Sequence, residues 1–299
     1  MLSVLIPIYN FNIYDLVSQL HKQCEREKIK FEILVFDDGS NQKFKKLNRE
    51  IANLGNVNYQ EEVKNIGRSA IRNKLANTAK YDNLLFLDCD SSIAHENYIK
   101  NYLQYCDKKV VVYGGRTYNN EPPFELKYNL HWLHGVKREV IDASQRNTIP
   151  NRFFMSNNFL VHKSILDVIQ FDDKNIEGYG HEDTLFGYEL MKRNILIQHI
   201  NNPVIHLGLE SNEEFLRKTR EGIKNLNNIL QIKTNDKKFS KEITLLSYYS
   251  KIEKLGLRSA VFSIYKKYEY ALRKNLMSKK PSLFLFDIYK LGYLCSLNK

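Results

Sequence analysis

The feature that most constrains this chain is an order repeated along its first ninety residues. An apolar run of strand length is followed by a polar or acidic turn, and then by a stretch with helical spacing. Residues 2–9 are apolar and β-branched and end at Tyr9-Asn10; Tyr14, Val17, Leu20 and Cys24 then step at helical intervals. Phe31 to Phe36 reads as a buried strand, closed by Asp37-Asp38-Gly39-Ser40. A polar helix over 41–53, a short strand over 57–60, and a turn at Asn65-Ile66-Gly67-Arg68-Ser69 leading into a helix through Thr78 come next. Leu84 to Leu87 is a fourth strand, running straight into Asp88-Cys89-Asp90. Strands alternating with helices predict βαβ crossovers and a mainly parallel sheet. Ligands of such sheets sit beyond the carboxyl ends of the strands, which is where both acidic clusters fall.

The remainder is less regular. Residues 110–113 form a strand, 115–152 a long excursion, and 159–161 a strand followed by a helix near 165–169. Gly178-Tyr179-Gly180-His181-Glu182-Asp183 opens a helix, and 195–206 predicts a strand pair ending at His206. Beyond residue 212 the pattern is helical, with apolar stripes at Leu245, Tyr248, Ile252 and Leu255 and at Val261, Tyr265, Tyr268 and Leu272.

With 43% apolar and 26% charged residues, the 299-residue chain has the composition of a globular protein with a real core. No apolar run reaches 18 residues, so no transmembrane helix is expected, and the first residues lack the pattern of a signal peptide. The four cysteines form no C-x-x-C pair, which argues against a disulfide framework or a zinc knuckle and for reduced thiols. Charge is unevenly placed. Residues 1–230 carry 30 Lys+Arg against 29 Asp+Glu, whereas residues 231–299 carry 15 against 5. The main body is therefore not basic in the way a nucleic-acid-binding domain is, and no nucleic-acid partner is expected.

Several constellations can carry chemistry. Asp88 and Asp90, two apart after a buried strand, suit a hard divalent cation bridging to a diphosphate; the plain alternative is loop acids or a helix cap. Asp37-Asp38-Gly39-Ser40 can accept the N–H of a pyrimidine, or can be an ordinary strand-to-helix turn. Arg68 and Arg72, four apart on one helix face, can address a base or a phosphate, or lie on a solvated surface. Two glycines and an aromatic before Glu182-Asp183 can make a sugar-sized recess with carboxylates at a helix start, where the dipole favours their ionised form; the plain alternative is ordinary helix N-terminal acidity. His206 can complete a metal site with Asp90; a lone histidine is otherwise structural.

The ordered set Pro7-Ile8-Tyr9-Asn10, Asp37-Asp38-Gly39-Ser40, Asn65 to Asn73, Asp88-Cys89-Asp90 and Glu182-Asp183 resembles family 2 glycosyltransferases with the GT-A fold, over about residues 2–210. The segment 151–206 is similar to the carboxyl half of β-1,4-galactosyltransferases and bacterial chondroitin polymerases. Tyr179 stands where those have Trp, His181 where Gly is common, and Asn157-Asn158 where small glycines are frequent.

The resemblance implies an α/β GT-A domain over 1–210, with a nucleotide-binding half to about 114 and an acceptor half over 115–210. A helical, basic extension over 211–299 follows. It implies an inverting, metal-dependent transfer of a hexose or N-acetylhexosamine, galactose-type favoured, from a UDP-sugar to a glycan or lipid-linked acceptor. Pro7, Tyr9, Asp37 and Asp38 would line the nucleotide, with Arg68 or Arg72 helping to hold it and Gly180 on the substrate side. Asp88 would touch the ribose and stand with Asp90 and His206 at the Mn²⁺ (or Mg²⁺) site. Asp183 would be the base and Glu182 its acceptor-binding neighbour. The basic, aromatic tail suits an anionic membrane surface, giving a cytoplasmic protein held at the inner face of the cell membrane, or equally a helical appendage packed on the catalytic domain with solvated lysines. The alternative is a nucleotide-sugar or glycan-binding protein without turnover.

Overall fold

A computed structural model describes residues 1–176, 178–233 and 236–298. The first elements are β1 (Leu2–Ile8), α1 (Tyr14–Arg26), β2 (Phe31–Asp37), α2 (Gln42–Asn48), β3 (Val57–Glu61), α3 (Arg68–Thr78) and β4 (Asn83–Leu87). Then come β5 (Ser91–Ile93), α4 (Tyr98–Leu103), β6 (Val111–Tyr113), β7 (Arg116–Thr117), α5 (Asn129–His134) and α6 (Ala143–Arg146). They are followed by β8 (Asn158–His162), α7 (Lys163–Leu166), α8 (Glu182–Lys192), β9 (Ile197–His199) and β10 (Val204–His206). The last are helices: α9 (Asn212–Ile232), α10 (Lys237–Glu242), α11 (Thr244–Lys254), α12 (Arg258–Leu276) and α13 (Leu283–Leu297).

Two compact units share these elements. The first comprises residues 1–118, 140–173 and 182–208. Its seven-stranded sheet has the order β3-β2-β1-β4-β8-β6-β9, parallel except where β8 runs against β4 and β6. Apolar residues line both faces because helices cover both, as parallel sheets require. Val4, Ile6, Ile33, Val35 and Leu85 pack with Leu16, Val17 and Leu20 of α1 on one face. Leu5, Leu34, Phe36, Leu84 and Phe86 pack with Ile71 and Leu75 of α3 and Phe186 of α8 on the other. The chain runs from β1 outward to β3 and then resumes on the opposite flank of β1 with β4. At such a reversal of strand order an α/β sheet leaves a crevice beyond its carboxyl ends.

Residues 195–206 are not a strand pair. β9 joins the edge of the large sheet beside β6, while β10 enters a separate three-stranded sheet between β5 and β7. The predicted excursion supplies β7, and the helix expected over 41–53 is α-helical only to Asn48, ending in a tighter 3₁₀ turn over Arg49–Asn53.

The second unit comprises residues 119–139, 174–181 and 209–299. Its core is Leu130 of α5, Leu216 of α9, Tyr265, Leu272 and Leu276 of α12, and Phe286 and Tyr289 of α13. Ser211 caps α9, its hydroxyl accepting the Glu214 N–H at 3.2 Å. The predicted α11 stripe does not face this core: Leu246 and Tyr249 are buried, while Tyr248 is 57% and Leu255 70% exposed. The two stripes lie a residue apart on the same helix, so periodicity alone does not choose between them. Tyr268, on the predicted α12 stripe, is also half exposed, whereas Tyr265 and Leu272 are buried.

Candidate active site

In the first unit the strand ends bring five of the sequence motifs to one edge. β1 delivers Tyr9, whose ring stays 54% exposed. β2 delivers Asp37 and Asp38, both buried. Asp37 accepts the Ser40 N–H at 2.6 Å and the Tyr59 hydroxyl at 3.0 Å. Asp38 accepts the N–H groups of Ile66 at 2.6 Å and Gly67 at 3.1 Å, so it ties the β2 turn to the turn before α3. Burial pushes the Asp38 carboxyl up, and those two N–H groups pull against it. Gly39 is required here: its φ is +77°, and a Cβ would stand 2.6 Å from the Asn65 nitrogen.

The two arginines expected to do the same work are divided. Arg72 is 1% exposed, with Nη2 2.6 Å from Asp88 Oδ1 and Nη1 3.9 Å from Glu182 Oε1. Its charge is committed inside the unit. Arg68, with 43% of its side chain exposed, reaches Glu182 Oε1 at 3.4 Å.

Asp90 and His206 are brought together by strand register. β10 pairs antiparallel with β5, placing His206 opposite Ser91, the residue after Asp90, and the Leu207 N–H donates to the Asp90 carbonyl at 2.8 Å. Asp90 Oδ1 then lies 3.6 Å from His206 Nδ1. Although burial opposes ionisation, His206, Arg116 and Arg68 hold the Asp90 carboxyl well below the usual range. The Tyr118 ring meets the imidazole edge-on, with centroids 5.3 Å apart.

Among the described residues, no three His, Cys, Asp or Glu side chains gather as a ready-made metal cluster. Of the three expected ligands, Asp90 and His206 meet, while Asp88 directs Oδ1 to Arg72. A buried Asp90 oxygen with no hydrogen-bond partner among the described residues, beside an imidazole, fits a cation that takes a few protein donors and completes its shell with phosphate oxygens and water.

Asp183 lies in the first turn of α8, its Oδ1 accepting the Thr184 N–H at 2.7 Å. The helix start was expected to lower its pKa. The carboxyl is instead pushed up to about 7, by burial and then by the neighbouring Glu182 charge, against the opposing pull of Arg72 and Arg68. A helix N-terminus contributes only ~0.3–1 kcal/mol, too little to offset both.

The glycine-rich segment before α8 belongs to the second unit, where α9 braces it. Glu221 accepts the Tyr179 N–H at 3.1 Å, Asn225 donates to the Tyr179 carbonyl at 3.1 Å, and Lys218 lies over the Tyr179 ring at 4.9 Å. Gly180 has φ +103°, and a Cβ on it would stand 2.9 Å from the Gly222 Cα.

Sequence reasoning missed Arg116, Tyr118, Gly208 and the α9 brace. Arg116 and Tyr118 lie in the stretch read as an excursion. Gly208 matters because a Cβ there would stand 2.4 Å from Asp90 Oδ2, and no local pattern flags it. Asn158 was equally invisible as a strut: it accepts from Tyr98 and Tyr102 at 2.6 and 2.7 Å and donates to the Gly115 and Asn202 carbonyls at 2.8 and 2.9 Å.

Comparison with known proteins gives concordant matches. The family model described as Glycosyl transferase family 2 matches residues 3–170. The chain is 27% identical over 224 residues to the chondroitin synthase of Escherichia coli, an alignment covering 64% of this chain and 32% of that protein. It therefore spans about a third of that relative's length. Among solved structures, S. aureus TarS 1–349 is 18% identical, with a TM-score of 0.52 and coverage of 100% of this chain and 92% of that one; TarS 1–349 has also been solved with UDP-GlcNAc. Glucosyl-3-phosphoglycerate synthase from Mycobacterium tuberculosis, solved with Mn²⁺, UDP and glucosyl-3-phosphoglycerate, is 13% identical, with a TM-score of 0.52 and coverage of 77% of this chain and 79% of that one.

Proposed function

The chain belongs to glycosyl transferase family 2, and from that premise we propose that it is a metal-dependent, inverting transferase of a hexose or N-acetylhexosamine, drawn from a UDP-sugar and delivered to a glycan or lipid-linked hydroxyl. Its α/β architecture is the GT-A fold expected from the sequence. The observation that carries the reading is the approach of Asp90 to His206 at 3.6 Å, at the strand edge that also holds Asp38 and Asp88. The UDP-GlcNAc complex of TarS and the Mn²⁺–UDP complex of the mycobacterial synthase support the donor and the cation.

In this reading Tyr9 and the turn tied by Asp38 receive the uracil, while Pro7 and Asp37 shape the wall behind it. Arg68 faces the nucleotide. Arg72 acts through Asp88, fixing the carboxylate that meets the ribose. Asp90 and His206 would hold Mn²⁺ or Mg²⁺, with Asp88 nearby; the cation, when bound, supplies positive charge beside the departing diphosphate. Asp183 takes the proton of the acceptor hydroxyl as its oxygen bonds to the anomeric carbon and the bond to the diphosphate breaks. Glu182, pinned by both arginines, keeps a negative neighbour beside that base.

The exposed Tyr248, Leu255, Ile264 and Tyr268, set among lysines, support contact with an anionic membrane face, where lipid-linked acceptors are held. Among the described residues no helix is long and apolar enough to cross a membrane.

The test is UDP release from UDP-galactose, UDP-N-acetylgalactosamine, UDP-glucose and UDP-N-acetylglucosamine, with Mn²⁺ and with chelator. Turnover of at least one donor, lost in chelator and restored by Mn²⁺, is expected. Tight UDP-sugar binding without release would favour a non-catalytic binder instead.

A further inference from the structure

We propose that the side-chain amide of Asn157 reads the hydroxyl groups of the transferred sugar, an inference that rests on the donor reading above. β8 is antiparallel to β4, with Leu87 opposite Asn158 and Phe86 opposite Phe159, and the Asp88 N–H continues the ladder by donating to the Asn157 carbonyl at 3.0 Å. Asn157 is thus directly opposite Asp88. Opposed residues of an antiparallel pair share a face, with Cβ atoms about 4.5–5.5 Å apart.

Alternation puts Asp88 and Asn157 on the face that carries Phe86 and Phe159, whose rings stack at 4.9 Å. Phe186 of α8 meets Phe159 on that face, with centroids 6.3 Å apart. Glu182 precedes Phe186 by one helical turn, and Arg72 joins Glu182 to Asp88. Asn157 therefore stands on the side of the sheet where Asp88, Arg72 and Glu182 gather, at the edge where the parallel strands end and β8 begins.

Asn157 is 3% exposed, yet among the described residues neither its Nδ2 nor its Oδ1 finds a hydrogen-bond partner. Its neighbour Asn158, on the opposite face, satisfies its amide fully. A buried amide left unmatched is costly, and native interiors rarely hold one without a ligand or a water to meet it. The charge of the surroundings selects the ligand. Arg72 is already engaged by Asp88 and Glu182, so its charge is not left over for a phosphate here. A neutral group that both donates and accepts, as a sugar hydroxyl does, meets an amide offering two donors and one acceptor oxygen.

The experiment uses the full chain and its preferred UDP-sugar, with analogues deoxygenated in turn at C2, C3, C4 and C6, on the parent, Asn157→Ala and Asn157→Ser. Expected is at least one deoxygenation that costs the parent tenfold or more in kcat/KM and costs Asn157→Ala nothing, with UDP affinity unchanged. The Asn157→Ala protein should melt at or above the parent temperature, because an unmatched amide has been removed, and Asn157→Ser should be intermediate in selectivity. Persistence of every deoxygenation penalty in Asn157→Ala overturns the inference. So does a lower melting temperature with an equal loss on all donors, which marks a packing role. Should Asn157→Ala not fold, unchanged penalties in Asn157→Ser overturn it as well. A parent that releases UDP from no UDP-sugar sinks the donor reading itself, and this inference with it.

Discussion

Asp90 lies 3.6 Å from His206 because the residue after Asp90, Ser91, is paired directly with His206 across β5 and β10. A short second sheet, rather than the large one, sets this pairing. Gly208, two residues past His206, leaves no room for a side chain beside the Asp90 carboxylate.

Gly208→Ala is therefore expected to displace the Asp90 carboxylate and to raise the Mn²⁺ concentration needed for half-maximal transfer by about tenfold or more, as loss of a ligand's supporting contact typically does. Asp90→Asn should abolish the metal response altogether. Titrating Mn²⁺ into chelator-treated enzyme measures both; a wild-type Mn²⁺ curve in Gly208→Ala would contradict the assignment.

Asp183→Asn should slow transfer by roughly 10²–10⁴-fold and leave UDP affinity nearly intact. With the carboxyl pushed up to about 7, the base is protonated in acid, so the transfer rate should rise with pH through about 7 and then level. Stability moves the other way. The folded-state pKa lies above the unfolded value, so the stability contributed by the protonated carboxyl declines as pH rises toward about 7. Asp183→Asn should thus melt at a higher temperature than the parent at pH 8, with the gap closing near pH 4. Rate–pH profiles and melts at the two pH values check the pair of effects.

Arg72→Leu should destabilise the protein by about 3–5 kcal/mol, since it strands the largely buried Asp88 carboxylate and leaves Glu182 to Arg68. Denaturant unfolding reads the loss. Arg68→Leu, at a more exposed position, should cost much less stability and weaken UDP binding instead.

Lys267 and Lys274 flank Ile264 and Tyr268 on the exposed side of α12. Near an anionic bilayer each basic residue contributes about 1 kcal/mol, so replacing both with Gln should weaken vesicle binding by roughly 30-fold. Sedimentation with phosphatidylserine-containing and purely zwitterionic vesicles measures this. Equal binding of both proteins to both vesicles would exclude the surface. Point substitutions are the right tool, because deleting 231–299 removes Tyr265, Leu272, Leu276, Phe286 and Tyr289 from the core of the second unit.

β1, β2 and β4 were legible because each is a continuous apolar run that burial on both faces demands, and because β2 and β4 lead straight into acids. The approach of Asp90 to His206 could be anticipated only as a pairing of motifs; the register that makes it lies in β5 and β10, three residues each and too short to announce themselves. Arg72 read like Arg68, since spacing on a helix reports a shared face and not how deeply each residue is buried. The acidity of Asp183 was misjudged for a similar reason: a helix start is visible in sequence, whereas the burial that outweighs its dipole is tertiary. The α11 stripe failed because two apolar rows compete on one helix.

The brace between α9 and the segment 178–181 bears on engineering. Tyr179 and Gly180 hold their shape through Lys218, Glu221, Gly222 and Asn225, all of which lie beyond residue 170, where the family match ends. A chimaera that transplants the four-residue loop from a relative without the helix beneath it would import the letters and leave their mould behind.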